Sequence, residues 1–183
     1  KQFMWLINSS IGRKVVMSVT GIALILFLTF HMSMNIVALF SGEAYNMICE
    51  FLGANWYAVV ATVALGALTV AHIVYAFILT AQNRSARGNE RYAVTGSSPK
   101  VEWASKNMLV LGIIVLLGML LHLFNFWYNM MFAEIVGMHT QFHPADGFAY
   151  IKETFANPVF VVLYIVWICA IWFHLSHGFW SAM

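Results

Sequence analysis

Four long stretches of this 183-residue chain contain no charged side chain: residues 15–42, 51–83, 107–133 and 154–183. A helix that crosses a bilayer needs about 20 apolar residues, because it rises about 1.5 Å per residue through a hydrocarbon layer about 30 Å thick. Each stretch is long enough. Only 9% of all residues are charged, against roughly 25% in ordinary soluble domains. The sequence therefore predicts a membrane protein.

The predicted spans are helical. Backbone polar groups must be paired inside lipid, and the strands of a barrel would alternate in polarity, whereas "VVMSVTGIALILFLTF" and "VFVVLYIVWICAIWF" are apolar on every side. We expect an all-α integral membrane helical bundle, formed as one domain over residues 1–183. The predicted spans are residues 13–40, 56–83, 106–133 and 158–182.

Local signals refine this picture. Asn157 is expected to cap the fourth span, with Pro158 as its first helical residue. A cleaved signal peptide is not expected, because no soluble domain follows the first span. Cys49 and Cys169 are not expected to form a disulfide. Nothing in the composition indicates nucleic-acid binding.

Basic residues are distributed unequally between the segments outside the spans. Eight of the nine Lys and Arg residues lie at the N-terminal end or in the connection formed by residues 84–106. The positive-inside rule places these two segments in the cytoplasm. We therefore expect a multi-pass protein of the bacterial cytoplasmic (inner) membrane with a cytoplasmic N-terminus.

Each predicted span carries a histidine, which is unusual because ionisable groups inside lipid are costly and often functional. Counted at about 1.5 Å per residue, His31 lies roughly 27 Å beyond Arg13 and His122 roughly 24 Å beyond Lys106, both in the outer half. By the same count, His72 and His174 approach the inner half. The four histidines are thus predicted to form two pairs at two depths.

Haem iron fits such pairs better than zinc does. A single buried histidine is as readily explained by a hydrogen bond to a neighbouring helix, but four at matched depths indicate metal ligation. Zinc requires four ligands, and no carboxylate or cysteine cluster accompanies the pairs. Haem needs only two axial ligands, and an iron with both positions filled is suited to electron transfer.

Two further features of the spans remain open on these grounds. His177 lies one helical turn after His174 and is an alternative ligand or a contact for a haem propionate. Four span glycines either admit a flat macrocycle or simply allow close helix packing: Gly21, Gly66, Gly112 and Gly118.

Several segments resemble the dihaem cytochrome b membrane anchor of the succinate dehydrogenase and quinol:fumarate reductase family. These are "NSSIGRKVVMSVTGIALILFLTFHMSMN", "TVAHIVYAF", "LHLFNFWY" and "FHLSHGFW". The resemblance covers nearly the whole chain. It implies that His31 and His122 hold an outer haem b, and that His72 and His174 hold an inner haem b. It also favours His174 over His177 as the fourth ligand.

The resemblance also implies partners. The chain would dock an iron-sulfur subunit and a FAD-containing flavoprotein on the cytoplasmic side, and dicarboxylate chemistry would occur on the flavoprotein. It would exchange electrons with a quinone, menaquinone being the expected type. Arg13, Lys14, Arg84 and Arg87 would meet haem propionates, the iron-sulfur partner or lipid headgroups.

This chain departs from the family pattern in two ways. The family has five spanning helices, whereas four are visible here. No Asp or Glu lies within a span, so a buried proton pathway is not expected. At the edge of the second span, Glu50 is the first choice for a quinone proton carrier, with Glu43 behind it and a solvated loop carboxylate as the alternative role.

Other functions remain as alternatives. The cytochrome b subunit of a formate dehydrogenase or hydrogenase is also a dihaem anchor, but its partners lie outside the membrane. A non-redox transporter or scaffold would use the histidines as proton relays or interhelical bonds. The spacing of His139 and His143 suggests a surface metal only weakly.

Overall fold

Helices form nearly all of the structure, a computed structural model that describes residues 9–87, 103 and 107–182. The elements are α1 (Ser10–Ile36), a 3-10 turn (Val37–Leu39), α2 (Gly42–Phe51), α3 (Trp56–Arg87), α4 (Met108–His122), a π-helical segment (Leu123–Phe132), α5 (Ala133–Val136), α6 (Gly147–Ala156) and α7 (Pro158–Ala182). No strand occurs in these ranges. The predicted all-α fold class is confirmed.

Four helical stretches are long and apolar enough to cross a membrane: Ile11–Leu39, Trp56–Ser85, Met108–Val136 and Pro158–Trp180. Few of their residues are buried inside the bundle, and many large apolar side chains point outward. Outward apolar surface of this extent is what a bilayer covers. Most of the basic connection, residues 88–102 and 104–106, lies outside the described residues.

Two of the long helices begin at side-chain caps. The Ser9 hydroxyl accepts a hydrogen bond from the Gly12 amide at 2.9 Å and starts α1. The Asn157 side chain accepts one from the Val159 amide at 3.0 Å, and Pro158 is the first residue of α7. Both arrangements satisfy an amide that has no partner within the helix. The predicted start of the fourth span is confirmed.

The long helices pack side by side. Helix α1 contacts both α3 and α7, and α7 also contacts α4. The close contact between α4 and α7 depends on Gly118, because a Cβ atom at this position would overlap the Trp167 ring. The Trp167 indole N–H donates to the Val115 carbonyl at 2.9 Å and holds the ring in this place.

The third span changes from α-helix to π-helix at Leu123. The sequence predicted a single α-helical span here. Within the π-helical segment, the side-chain amide of Asn129 donates to the Phe124 carbonyl at 2.9 Å and to the Asn125 carbonyl at 3.3 Å. A π-helix bonds residues five apart, and such segments are frequent at functional sites.

The third span ends at Gly137, whose φ of 66° is left-handed. The Met138 amide then donates to the Ala133 carbonyl at 2.8 Å, as in a Schellman motif.

Helices α2 and α6 pack against each other and close one end of the bundle, which we call the capped end. The Asn46 side chain joins them: its amide donates to Asp146 at 2.7 Å, and its oxygen accepts from the Phe148 amide at 2.9 Å. Both helices lie in connections that the sequence had predicted only as loops.

Helices α2 and α6 form a cap, which is hydrogen-bonded to α1. The titratable side chains in its core are neutral. Burial raises the pKa of the Cys49 thiol and the pKa of the Tyr45 hydroxyl, so both groups stay protonated at neutral pH. The Tyr45 hydroxyl donates to the Asn35 side chain at 2.9 Å, and the Asn35 amide donates to the His31 carbonyl at 2.7 Å. The cap is thereby tied to the backbone of a predicted ligand.

Candidate functional site

His31 and His122 meet across the bundle near the capped end, and we call them the upper pair. Their ring centroids lie 5.7 Å apart and the ring planes are perpendicular. Two imidazoles on opposite sides of one metal ion hold their donor nitrogens about 4 Å apart, since each metal–nitrogen bond is about 2 Å long. The ring centroids then lie slightly farther apart than the nitrogens. With the depth of each ring added, the centroids would lie about 6 Å apart. The observed 5.7 Å is slightly shorter, so it shows that the two imidazoles are close enough to approach one metal ion.

Aromatic side chains surround the upper pair. The rings of Phe126 and Trp167 tilt over His122, with centroids 5.2 Å and 5.4 Å from its own. Tyr164 approaches His122 edge-on at 6.2 Å, and Phe27 stacks on His31 at 5.5 Å. This apolar shell keeps water away from the imidazoles and suits the faces of a porphyrin.

His72 and His174, which we call the lower pair, lie on α3 and α7. His174 is within electrostatic range of both His72 and His177. Glycines face both imidazoles: a Cβ on Gly21 would lie 3.5 Å from His72, and one on Gly112 would lie 3.6 Å from His174. The lower pair thus combines residues from all four long helices.

The orientation of His72 is set by Thr20, which is 5% exposed. The Thr20 oxygen lies 3.0 Å from Nδ1 of His72. Its single proton is directed to the carbonyls of Val16, at 2.8 Å, and Met17, at 3.2 Å. When this proton bonds a carbonyl, the hydroxyl oxygen accepts a hydrogen bond from Nδ1–H of His72, and in that tautomer Nε2 has the lone pair that a metal ion would require.

These contacts define two levels. Along α1, Thr20 belongs to the lower level and His31 to the upper level, so the levels are about 16 Å apart at about 1.5 Å per residue. Along α7, Trp167 and His174 give about 10 Å by the same rise. The sequence had predicted two pairs at two depths. The rings of His31 and His122 are in contact, and the pairing of His72 with His174 stays a prediction.

Two imidazole nitrogens provide a further test of metal ligation. Nδ1 of His122 and Nδ1 of His174 are buried and have no hydrogen-bond partner within the described ranges. Leaving a buried polar atom unpaired costs about 1–3 kcal/mol. Ligation through these nitrogens would remove this cost. Imidazoles with an unpaired buried nitrogen are the type of donor that haem iron would take.

The four span glycines differ in role. Gly118 serves helix packing against Trp167, and Gly21 and Gly112 leave room beside the lower pair. A Cβ on Gly66 would meet no atom within 4 Å. Close helix packing is therefore shown for Gly118, and the admission of a macrocycle stays a prediction.

Glu50 and Glu43 lie on α2 with exposed side chains. An apolar groove of about 430 Å³ opens beside Glu50, between α2 and the end of α1. Its lining includes Phe30, Met34, Met47, Ile48, Phe51 and Leu52. Glu50 is therefore separate from the imidazoles, and its helix contributes one wall of the apolar groove, although neither Glu50 nor His31 is among the lining residues.

Glu134 is a carboxylate that the sequence did not single out. One of its oxygens accepts a hydrogen bond from the Ala54 amide at 3.2 Å and so joins α5 to the start of α3. Thr20, Trp167 and Asn125 were also missed. Their positions inside apolar spans were the only available signal, and it does not reveal which helix each residue faces.

The remaining predicted positions lie apart from the two pairs. His139 and His143 are exposed, and Nδ1 of His143 accepts from the Ala145 amide at 3.2 Å within its own turn. Within residues 9–87, 103 and 107–182, no cluster of three or more His, Cys, Asp or Glu side chains has metal-binding geometry.

The basic residues flank the uncapped end. Lys14 and Arg84 are exposed and Arg13 is half-buried. The side chain of Arg87 lies outside the described residues.

No protein-family model, no curated protein and no solved structure matches this chain.

Proposed function

We propose that this chain is the dihaem cytochrome b anchor of a succinate:quinone or quinol:fumarate oxidoreductase. The observation that carries the proposal is the meeting of His31 and His122, with ring centroids 5.7 Å apart inside an aromatic shell. A second imidazole pair at another level of the same bundle supports it. The family is proposed because the four segments that carry the predicted ligands resemble those of its membrane anchor.

His31 and His122 would hold the outer haem b, and His72 and His174 the inner one. When bound, haem supplies a reversible one-electron change at iron, and two axial imidazoles leave no open position for oxygen chemistry. His177 remains the alternative to His174, or a contact for a propionate.

The side chains around each pair have distinct roles. Thr20 fixes the tautomer and ring plane of His72, as the outer partners of metal-bound histidines commonly do. Trp167 and Phe126 cover the His122 ring and exclude water. Phe27 does the same for His31. His31, His72 and His122 would thus be oriented before a ligand binds.

Quinone chemistry belongs to the capped end in this proposal. Glu50 would exchange protons with a quinone, expected to be menaquinone, whose apolar tail lies in the groove between α1 and α2. The capped end would face outward from a bacterial cytoplasmic membrane. The iron-sulfur and FAD-containing subunits would dock at the basic, cytoplasmic end.

A visible spectrum tests the haem sites directly. We expect protein produced with ample haem to show sharp reduced bands from two bis-histidine haem groups. His31→Ala and His122→Ala should each remove the same half of the haem, while His72→Ala and His174→Ala should each remove the other half. His139→Ala, a change in the exposed connection, should keep both.

Other outcomes would contradict the proposal. Colourless protein would indicate a scaffold, in which the Thr20–His72 contact is only an interhelical hydrogen bond. If His31→Ala and His122→Ala removed different haem groups, the pairing would be wrong. If His177→Ala removed the inner haem and His174→Ala did not, His177 would be the fourth ligand. Copurification with a flavoprotein and an iron-sulfur protein, followed by assays with succinate and fumarate, tests the family.

A further inference from the structure

A polar pocket opens at the capped end between the π-helical segment, α6 and the start of α7. Its volume is about 240 Å³. The polar side chains that line it include Asn125, Asn129, Gln141, Tyr150, Glu153, Thr154 and Asn157. Amide, hydroxyl and carboxyl groups are thus gathered around one opening of the bundle.

The pocket runs from the surface into the bundle. Gln141, Glu153 and Asn157 are exposed, whereas Asn125 and Asn129 are half-buried. A site holds water when it is polar, offers two to four partners and exceeds about 15 Å³. This pocket is far larger and offers more partners, so it accommodates several connected water molecules.

The inner end of the pocket lies beside the upper pair. The Asn125 amide donates to the Tyr164 hydroxyl at 3.3 Å, and Tyr164 is 7% exposed. The Tyr164 ring in turn packs edge-on against His122 at 6.2 Å. A polar connection therefore extends from Glu153 at the surface to the shell of a predicted ligand.

The π-helical segment places these groups in the pocket. Asn125 and Asn129 both belong to it, and the Asn129 amide bonds backbone carbonyls of the same segment. The Tyr150 hydroxyl donates to the Asn129 carbonyl at 3.2 Å and to the Phe142 carbonyl at 2.9 Å, which fixes the pocket wall.

We propose that this pocket is a water-filled proton path between the capped end and the upper pair. The role rests on the proposed function: a quinol that passes its two electrons singly to haem iron also releases two protons. Glu50 takes one of these protons. Ordered water in the pocket, hydrogen-bonded to the side chains of Asn125 and Asn129, carries the other to the Glu153 carboxylate and the outer solution. The same path supplies protons when a quinone is reduced.

Thiol labelling tests water access without any haem measurement. In a variant of the full chain lacking native thiols (Cys49→Ser, Cys169→Ser), we expect Asn125→Cys to react with a charged, membrane-impermeant methanethiosulfonate added at the capped side. Phe124→Cys is the matched control. The Phe124 side chain, next in sequence to Asn125, is 65% exposed on the outside of the bundle and would face lipid. It should stay unlabelled.

Asn129→Cys provides a second probe if Asn125→Cys does not fold, and it should also be labelled. Adding Thr154→Trp, which fills the pocket, should slow labelling at either position by at least about tenfold. Labelling of Phe124→Cys at an equal rate, labelling only from the opposite side, or no labelling at either asparagine position would overturn the path. Each result is independent of the haem spectrum, so failure of the path is distinguishable from failure of the proposed function.

Discussion

At the scale of single residues, the lower pair depends on one hydroxyl group. The Thr20 hydroxyl oxygen lies 3.0 Å from Nδ1 of His72, on another helix, and a hydrogen bond there favours one tautomer of the imidazole. Thr20 and Thr29 both lie within hydrogen-bond distance of carbonyls of their own helix, but Thr20 also contacts an imidazole.

Thr20→Val should weaken the lower site, because it keeps the side-chain shape but leaves Nδ1 of His72 without an acceptor. Loss of an outer partner commonly lowers metal affinity by about 10- to 100-fold. We expect a similar loss of inner haem, measured by titrating haem into the apoprotein and following the reduced bands.

Thr20→Ser should restore most of the haem affinity, because it keeps the hydroxyl. Thr29→Val, on the same helix but away from any imidazole, should leave both sites unchanged. Equal haem affinity in Thr20→Val and the native chain would show that the Thr20 contact does not orient a ligand.

At the scale of helices, the contact between α4 and α7 places an aromatic ring over His122. Gly118 creates the space and the Val115 carbonyl anchors the indole, so Trp167 lies on the imidazole rather than in lipid. The consequence is that a packing residue one helical turn before His122 sets the environment of the upper pair.

Gly118→Ala should therefore destabilise the bundle by about 1–3 kcal/mol, the usual cost of overpacking. Its Cβ would overlap the Trp167 ring and force it off His122. Thermal unfolding in detergent measures the loss. Gly66→Ala, where a Cβ meets nothing within 4 Å, is the matched control and should change stability little. Equal melting temperatures of the two variants would contradict the role of Gly118 in admitting the Trp167 ring.

At the scale of the whole molecule, the cap connects two segments that are distant in the chain. Asn46 bonds to Asp146 and to the Phe148 amide, and Tyr45 and Asn35 continue the connection to His31. The first and third connections therefore form one unit that covers the upper pair and frames the polar pocket.

Asn46→Ala should loosen this unit, since it removes two hydrogen bonds, one of them to a carboxylate. Hydrogen bonds to charged groups contribute about 1.5–3 kcal/mol each. We expect lower thermal stability and faster protease cleavage within residues 138–146. Asn55→Ala, which loses only bonds to the nearby carbonyls of Glu50 and Phe51, should have a smaller effect. Cleavage at the native rate in Asn46→Ala would argue against the connection.

Much of the architecture follows from the sequence because its causes are local. A stretch of about 20 apolar residues must be helical in lipid whatever its neighbours are, and the constant rise along a helix converts residue numbers into depth. The cap at Asn157 and the two levels of histidine follow from the same local geometry. Helices α2 and α6 were not predicted, because short amphipathic segments are stable only when they pack against each other.

What the tertiary structure alone decided is which side chains face one another. The rotation of each helix about its axis is set by packing between residues distant in the chain, and a uniformly apolar span carries no pattern that reveals it. Thr20 beside His72, Trp167 over His122 and the π-helical turn at Leu123 all belong to this class. The number and depth of the histidines follow from the local sequence, whereas the side chains that contact them depend on how the four helices pack.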